Sequence, residues 1–220
     1  VDRDGVELLG DATGGDDLLY GGNGIDFGIS VDNRPGGGYY MGGEYRSGSN
    51  DWNMWVLALN DTGGVVWEKI WGSPFDESYA HISTAADGHV LVASAWSVTT
   101  NFTGKKYLAK LDQADGSVIW ERQYGSFCGG GCQLGVVKEV QPGGDLIAAS
   151  WSRPQNVYHG TLLRTTSNGD SLWMRDYLYQ DDLVNNGSGL FRDVEPTPDG
   201  GFIAVGSAFQ AGPYTQDVWV

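Results

Sequence analysis

The sequence predicts an all-β fold, a β-propeller of four-stranded antiparallel blades, and three observations carry that reading. Two sets of anchor residues recur along the chain with a period near 53 residues. Glycine fills 35 of the 220 positions, yet the chain also holds 9 Trp and 11 Tyr, a pairing that suits many short strands joined by tight turns. No stretch shows a sustained 3.6-residue apolar period with caps, so helix content is expected to be low.

The first anchor is Trp67, Trp120 and Trp173, spaced 53 residues apart, each four positions after a turn glycine, Gly63, Gly116 or Gly169. An aromatic-led element follows each Trp: Trp71-Gly72-Ser73, Tyr124-Gly125-Ser126 and a degraded Tyr177-Leu178-Tyr179, with Tyr20-Gly21-Gly22 as the same element one repeat earlier. The second anchor is a turn that opens a strand. It starts at Gly36-Gly37-Gly38-Tyr39, Asp87-Gly88-His89-Val90, Gly143-Gly144-Asp145-Leu146 and Asp199-Gly200-Gly201-Phe202, at spacings of 51, 56 and 56. Two independent anchors holding one period mark a repeat architecture.

Each repeat parses into four strands, which in the second repeat are 79–84, 89–95, 106–111 and 117–122. Asp-Gly turns between apolar runs are hairpin signals, because glycine supplies a positive φ without steric penalty. The blades fall at about 25–70, 78–123, 132–177 and 190–220, and residues 1–19 read as an outer strand plus linker. Residues 1–9 look like a fourth strand with its turn, with Leu9 where the other repeats carry Trp. Two closures suit this count: part of a larger ring, or an N-terminal strand that completes the last blade of a four-bladed ring. Open strand edges need a cover in either case.

Residues 20–43 resemble the repeat of secreted bacterial β-propellers of the Bacteroidetes type, and the resemblance extends over about 18–220. Its elements here are Tyr20-Gly21-Gly22, Asp26, Gly36-Gly37-Gly38-Tyr39 and the run from Leu59 to Trp67. The resemblance implies an exported or cell-surface protein, outside the cell. The run from Asp112 to Trp120 also resembles the tryptophan-docking repeat of pyrroloquinoline-quinone propellers, which implies an oxidoreductase as the alternative. Those enzymes use adjacent half-cystines at the cofactor, whereas Cys128 and Cys132 are separated by three glycines.

A net charge of −15, from 13 basic and 28 acidic residues, argues against nucleic acid and anionic membrane surfaces as partners. The longest apolar runs are far too short to span a bilayer as a helix. Two cysteines around Gly129-Gly130-Gly131 can reach disulfide geometry, and an exported chain meets oxidising surroundings, so a Cys128–Cys132 disulfide is expected. The histidines His81, His89 and His159 are dispersed and form no ligand pattern. Residues 12–29 resemble one and a half copies of a calcium-binding nonapeptide; Ca²⁺ near Asp16, Asp17 or Asp26 is therefore the cofactor candidate, and no other is expected. The acid pairs Asp76/Glu77 and Asp181/Asp182 lie in polar loops and are expected on a solvated face rather than in catalysis.

Propeller geometry sends the second-to-third-strand loops and the inter-blade loops to one face and both Asp/Gly turns to the other. The long-loop face therefore carries 45–53, 72–78, 97–105, 125–132, 152–160, 180–190 and 208–216. Aromatics recur where the second strand reaches it, at Tyr45, Trp96, Trp151 and Phe209, as candidate ligand-binding residues or as packing between blades. The expected function is a non-enzymatic binding or structural scaffold that meets a protein or glycan at the cell surface. A calcium-binding adhesin or carbohydrate-binding module is a further alternative.

Overall fold

The computed structural model describes residues 7–10, 16–46, 51–77, 79–99, 104–128, 133–153, 157–179, 188–209 and 216–220. These form strands and turns with no helix among them, and the sheets are those of a β-propeller. A short hairpin comes first, β1 (Glu7–Gly10) paired antiparallel with β2 (Asp16–Leu19). The first full sheet is β3 (Phe27–Asn33), β4 (Tyr39–Arg46), β5 (Trp52–Leu59) and β6 (Val65–Trp71), in that order. The second is β7 (His81–Thr84), β8 (Val90–Ser97), β9 (Gly104–Leu111) and β10 (Val118–Cys128). The third is β11 (Gln133–Val140), β12 (Asp145–Ser152), β13 (His159–Thr165) and β14 (Ser171–Tyr177). The last has three strands, β15 (Ser188–Pro196), β16 (Phe202–Phe209) and β17 (Gln216–Trp219).

In the first three full sheets the second and third strands bury most of both faces, as the near-continuous burial of β5, β8 and β12 shows. Neighbouring sheets therefore share cores. Tyr40, Met54, Val56 and Trp67 of the first sheet pack with Ile82, Val92 and Tyr107 of the second. Leu91, Leu108 and Trp120 meet Val137, Leu146 and Leu163 of the third.

The anchor tryptophans explain the period. Trp67 donates its indole N–H to the Gln113 carbonyl at 3.0 Å, one blade downstream, and its ring covers Gly116. Trp120 covers Gly169 in the same way, and Tyr124 donates its hydroxyl to the Gly169 carbonyl at 2.6 Å. The outer strands β6 and β10 are thus clasped by a turn of the next blade. A Trp buries on the order of 200 Å², or roughly 5 kcal/mol of gross transfer free energy at about 25 cal/mol per Å².

The hairpin ahead of the first full sheet uses the same clasp. Leu18 lies against Gly63, and the Tyr20 hydroxyl donates to the Gly63 carbonyl at 2.6 Å. β2 therefore stands where an outer strand stands, and the segment read as a fourth strand, 1–9, contributes β1 on its flank.

The first strands β3, β7, β11 and β15 stand side by side around a central channel and are tied across the blades. Ile82 N–H donates to Ser30 Oγ at 3.0 Å, and Thr84 N–H to Asp32 Oδ2 at 2.7 Å. Ser83 Oγ donates to the Val137 carbonyl at 2.6 Å, and Ala86 N–H to Glu139 Oε2 at 2.7 Å.

Candidate functional site

The innermost strands carry a recurrent irregularity near the long-loop face. Pairing slips by one residue between Gly28 and Ser30, between Leu134 and Val136, and between Phe191 and Asp193. The unpaired residues are Ile29, Gly135 and Arg192. A bulge re-aims a side chain that strict alternation would have fixed, and all three bulged residues line one cavity of about 350 Å³ at this end of the channel. Its other walls are Tyr79, His81, Trp151 and Phe191.

Each wall is held from behind. Tyr79 meets Phe27 edge-on at 6.5 Å, and Phe27 stacks on Trp52 at 5.6 Å, with the Arg46 guanidinium over the Trp52 ring. Trp151 meets Tyr158 edge-on at 5.3 Å, and Tyr158 lies 6.1 Å from Phe209. Tyr158 is fixed to the fourth sheet, since its N–H donates to Ser188 Oγ at 2.8 Å and its carbonyl accepts from Gly189 N–H. Phe191 stacks on Trp219 at 4.5 Å. The pocket is an aromatic cleft to which His81 and Arg192 add an imidazole and a guanidinium.

Burial holds the His81 imidazole down at a pKa of about 4; the Arg192 charge adds to this and Asp193 opposes it. His81 is neutral at pH 7 and can both donate and accept a hydrogen bond.

The four aromatics expected from sequence divide. Trp151 lines the cavity, and Phe209 joins it through Tyr158. Tyr45 meets Trp55 edge-on at 5.8 Å, with its hydroxyl against Gly22. Trp96 lies 5.2 Å from the Tyr107 ring and packs on the core between the first two sheets. Tyr79, Phe191 and Arg192 carried no motif. Their column could have been found from the repeat, because Ile29, Gly135 and Arg192 each precede the second anchor by seven or eight residues.

The expectation that Asp76 and Glu77 form a solvated acid pair is corrected. Glu77 is fully buried, and its carboxylate accepts from Ser73 N–H, Ser73 Oγ and Ser97 N–H. The inter-blade loop folds over it, so one side chain organises both the loop and the end of β8. Burial pushes its pKa up to about 7 against those hydrogen bonds, with the Asp76 charge adding to the rise. Glu44, also buried, is pushed to about 7 by desolvation and then by Asp76.

Asp26 clamps its loop: Oδ2 accepts from Gly22 N–H at 2.8 Å and Oδ1 from Arg46 N–H at 3.0 Å. Among the described residues no three His, Cys, Asp or Glu side chains gather as a metal site. The Asp16 and Asp17 side chains, the pair Asp181/Asp182 and Cys132 lie outside the described residues.

No known protein family matches the chain, and no characterised protein matches it by sequence. Solved structures are similar in architecture. An endo-arabinase from Bacteroides thetaiotaomicron VPI-5482 is 11% identical, with 86% of this chain and 72% of that one covered and a TM-score of 0.49. A quinohemoprotein alcohol dehydrogenase from Comamonas testosteroni is 13% identical, with 84% and 34% covered and a TM-score of 0.45. A protein of unknown function from Bacteroides caccae is 12% identical, with 79% and 75% covered and a TM-score of 0.30. The expectation that the chain is not an enzyme is withdrawn on this finding: two of these structures are enzymes by name, so the architecture gives no ground for setting catalysis aside. No reaction is carried over at such identity, and the likeness concerns the propeller fold alone.

Proposed function

We propose that this chain is an exported propeller domain whose working surface is the long-loop end of its channel, and that it recognises carbohydrate there. The observation that carries the reading is the cleft itself. Tyr79, Trp151 and Phe191 stand around a cavity of about 350 Å³, a volume suited to one or two sugar residues at the lower end of ordinary ligand sites. Aromatic faces stack on the C–H faces of a pyranose, and a few polar groups fix its orientation. Here His81 and Arg192 supply those groups. The resemblance of 20–43 to secreted propeller repeats supports a place outside the cell, where glycans are the abundant ligands.

A glycan array followed by calorimetry tests this. Wild-type protein retains a glycan, and Trp151→Ala lowers its affinity at least tenfold with the urea midpoint as the folding control. Folded protein that retains no glycan, or binding untouched by Trp151→Ala, overturns the proposal.

A further inference from the structure

We propose that the long-loop cleft is selective for an acidic sugar, a uronate whose carboxylate is held by Arg192. This rests on the carbohydrate reading above and names the ligand class that the same pocket takes.

The chain carries −15 overall, yet none of the residues lining this cleft is acidic and Arg192 is its one charged side chain. The opposite end of the channel is built the other way. There a cavity of about 450 Å³ is lined by Asp32, Glu139 and Glu195 against a single Lys138. Those groups have partners: Asp32 and Glu139 accept backbone N–H groups, and Lys138 lies 4.0 Å from Glu195.

Arg192 forms no ion pair among the described residues. Its sequence neighbour Asp193 turns one carboxylate oxygen to the Val194 N–H at 2.8 Å. Arg192 is also the bulged residue of β15, unpaired with β16 and exposed, between Phe191↔Gly206 and Asp193↔Val205. The bulged Arg192 thus lines an aromatic cleft whose other lining residues are neutral, with the Asp193 carboxylate near enough to act on His81.

A planar guanidinium offers two parallel N–H donors to a carboxylate, a match in geometry as well as charge. A neutral His81 beside it would leave the selectivity to Arg192 and bind hydroxyls. At physiological salt the screening length is about 8 Å, so acidic groups farther away than that weaken this local attraction little.

Calorimetry with tri-galacturonate and with its methyl ester tests the proposal, because the two differ in charge and little in shape. Wild-type protein binds the acid at least tenfold tighter than the ester. In Arg192→Gln that ratio falls to near one, and Arg192→Lys keeps part of it. Equal binding of acid and ester by the wild type, or a preference that survives Arg192→Gln, overturns the acidic-sugar inference and leaves carbohydrate binding standing. Failure of every glycan, neutral or acidic, overturns both.

Discussion

Gly169, in the turn between the third and fourth strands of its blade, and Gly200, in the turn between the first and second strands of the next, have nearly the same backbone, φ +81° and +82°, but different surroundings. A methyl group at Gly200 meets nothing within 4 Å; at Gly169 it would lie 2.8 Å from Trp120 Cζ3 and 3.1 Å from Arg122 Cγ. Alanine at a left-handed position costs roughly 1–2 kcal/mol, offset by about 0.4–1 kcal/mol from the stiffer unfolded chain. That sum, about 1 kcal/mol, is all that Gly200→Ala should lose. Gly169→Ala adds an overpacking penalty of roughly 1–3 kcal/mol, because the Trp120 ring is buried and a Trp cannot fold its rigid edge away. The total is about 2–4 kcal/mol, which lowers Tm by roughly 2–4 °C per kcal/mol in a chain of this size. Urea unfolding followed by tryptophan fluorescence compares the two variants directly. Equal midpoints, or a larger loss for Gly200→Ala, would refute the claim that the turn glycine exists to seat the preceding blade's Trp.

Tyr124→Phe removes the 2.6 Å bond to the Gly169 carbonyl and should lose about 1 kcal/mol in the same assay; no change would show the latch to be idle. Glu77→Gln tests the buried carboxyl. With its folded pKa near 7 and an unfolded value of 4.5, the native state holds the extra proton between those values. Its contribution is therefore fully present below about pH 4.5 and lost as pH rises through 7, up to about 3 kcal/mol. Glu44 acts in the same direction. His81 opposes them, since its lowered pKa makes stability fall as pH drops from 6.5 toward 4. Urea midpoints from pH 8 to 5 should rise less steeply in Glu77→Gln than in wild type; parallel profiles would contradict the burial argument. For the expected Cys128–Cys132 disulfide, thiol titration of denatured protein should give no free thiol before reduction and two after; two free thiols at the outset would exclude it.

The blade architecture was legible because its residues meet their own repeat. Trp67 and Trp120 seat on turn glycines one blade on, so the constraint that holds the sheets together is written as a sequence period. The cleft was less legible for the opposite reason. Ile29, Gly135 and Arg192 leave the alternating pattern through bulges, and nothing in apolar periodicity announces a slipped register. The aromatic column read from the second strands shares one repeat position but not one environment. Gly22 and Trp55 cover Tyr45, Tyr107 covers Trp96, and only Trp151 is left facing the channel. Glu77 misled because a loop with polar composition reads as solvated, whereas this one wraps its own carboxylate.

The bulged column also gives the molecule a place to vary. Most other residues of the innermost strands stand opposite a residue of a partner strand, and the buried ones among them answer to the core as well. Ile29, Gly135 and Arg192 answer to no opposite residue, and the three already differ as an aliphatic, a void and a cation. Descendants of one scaffold could trade these residues for others and acquire new ligands while every blade contact stays as it was.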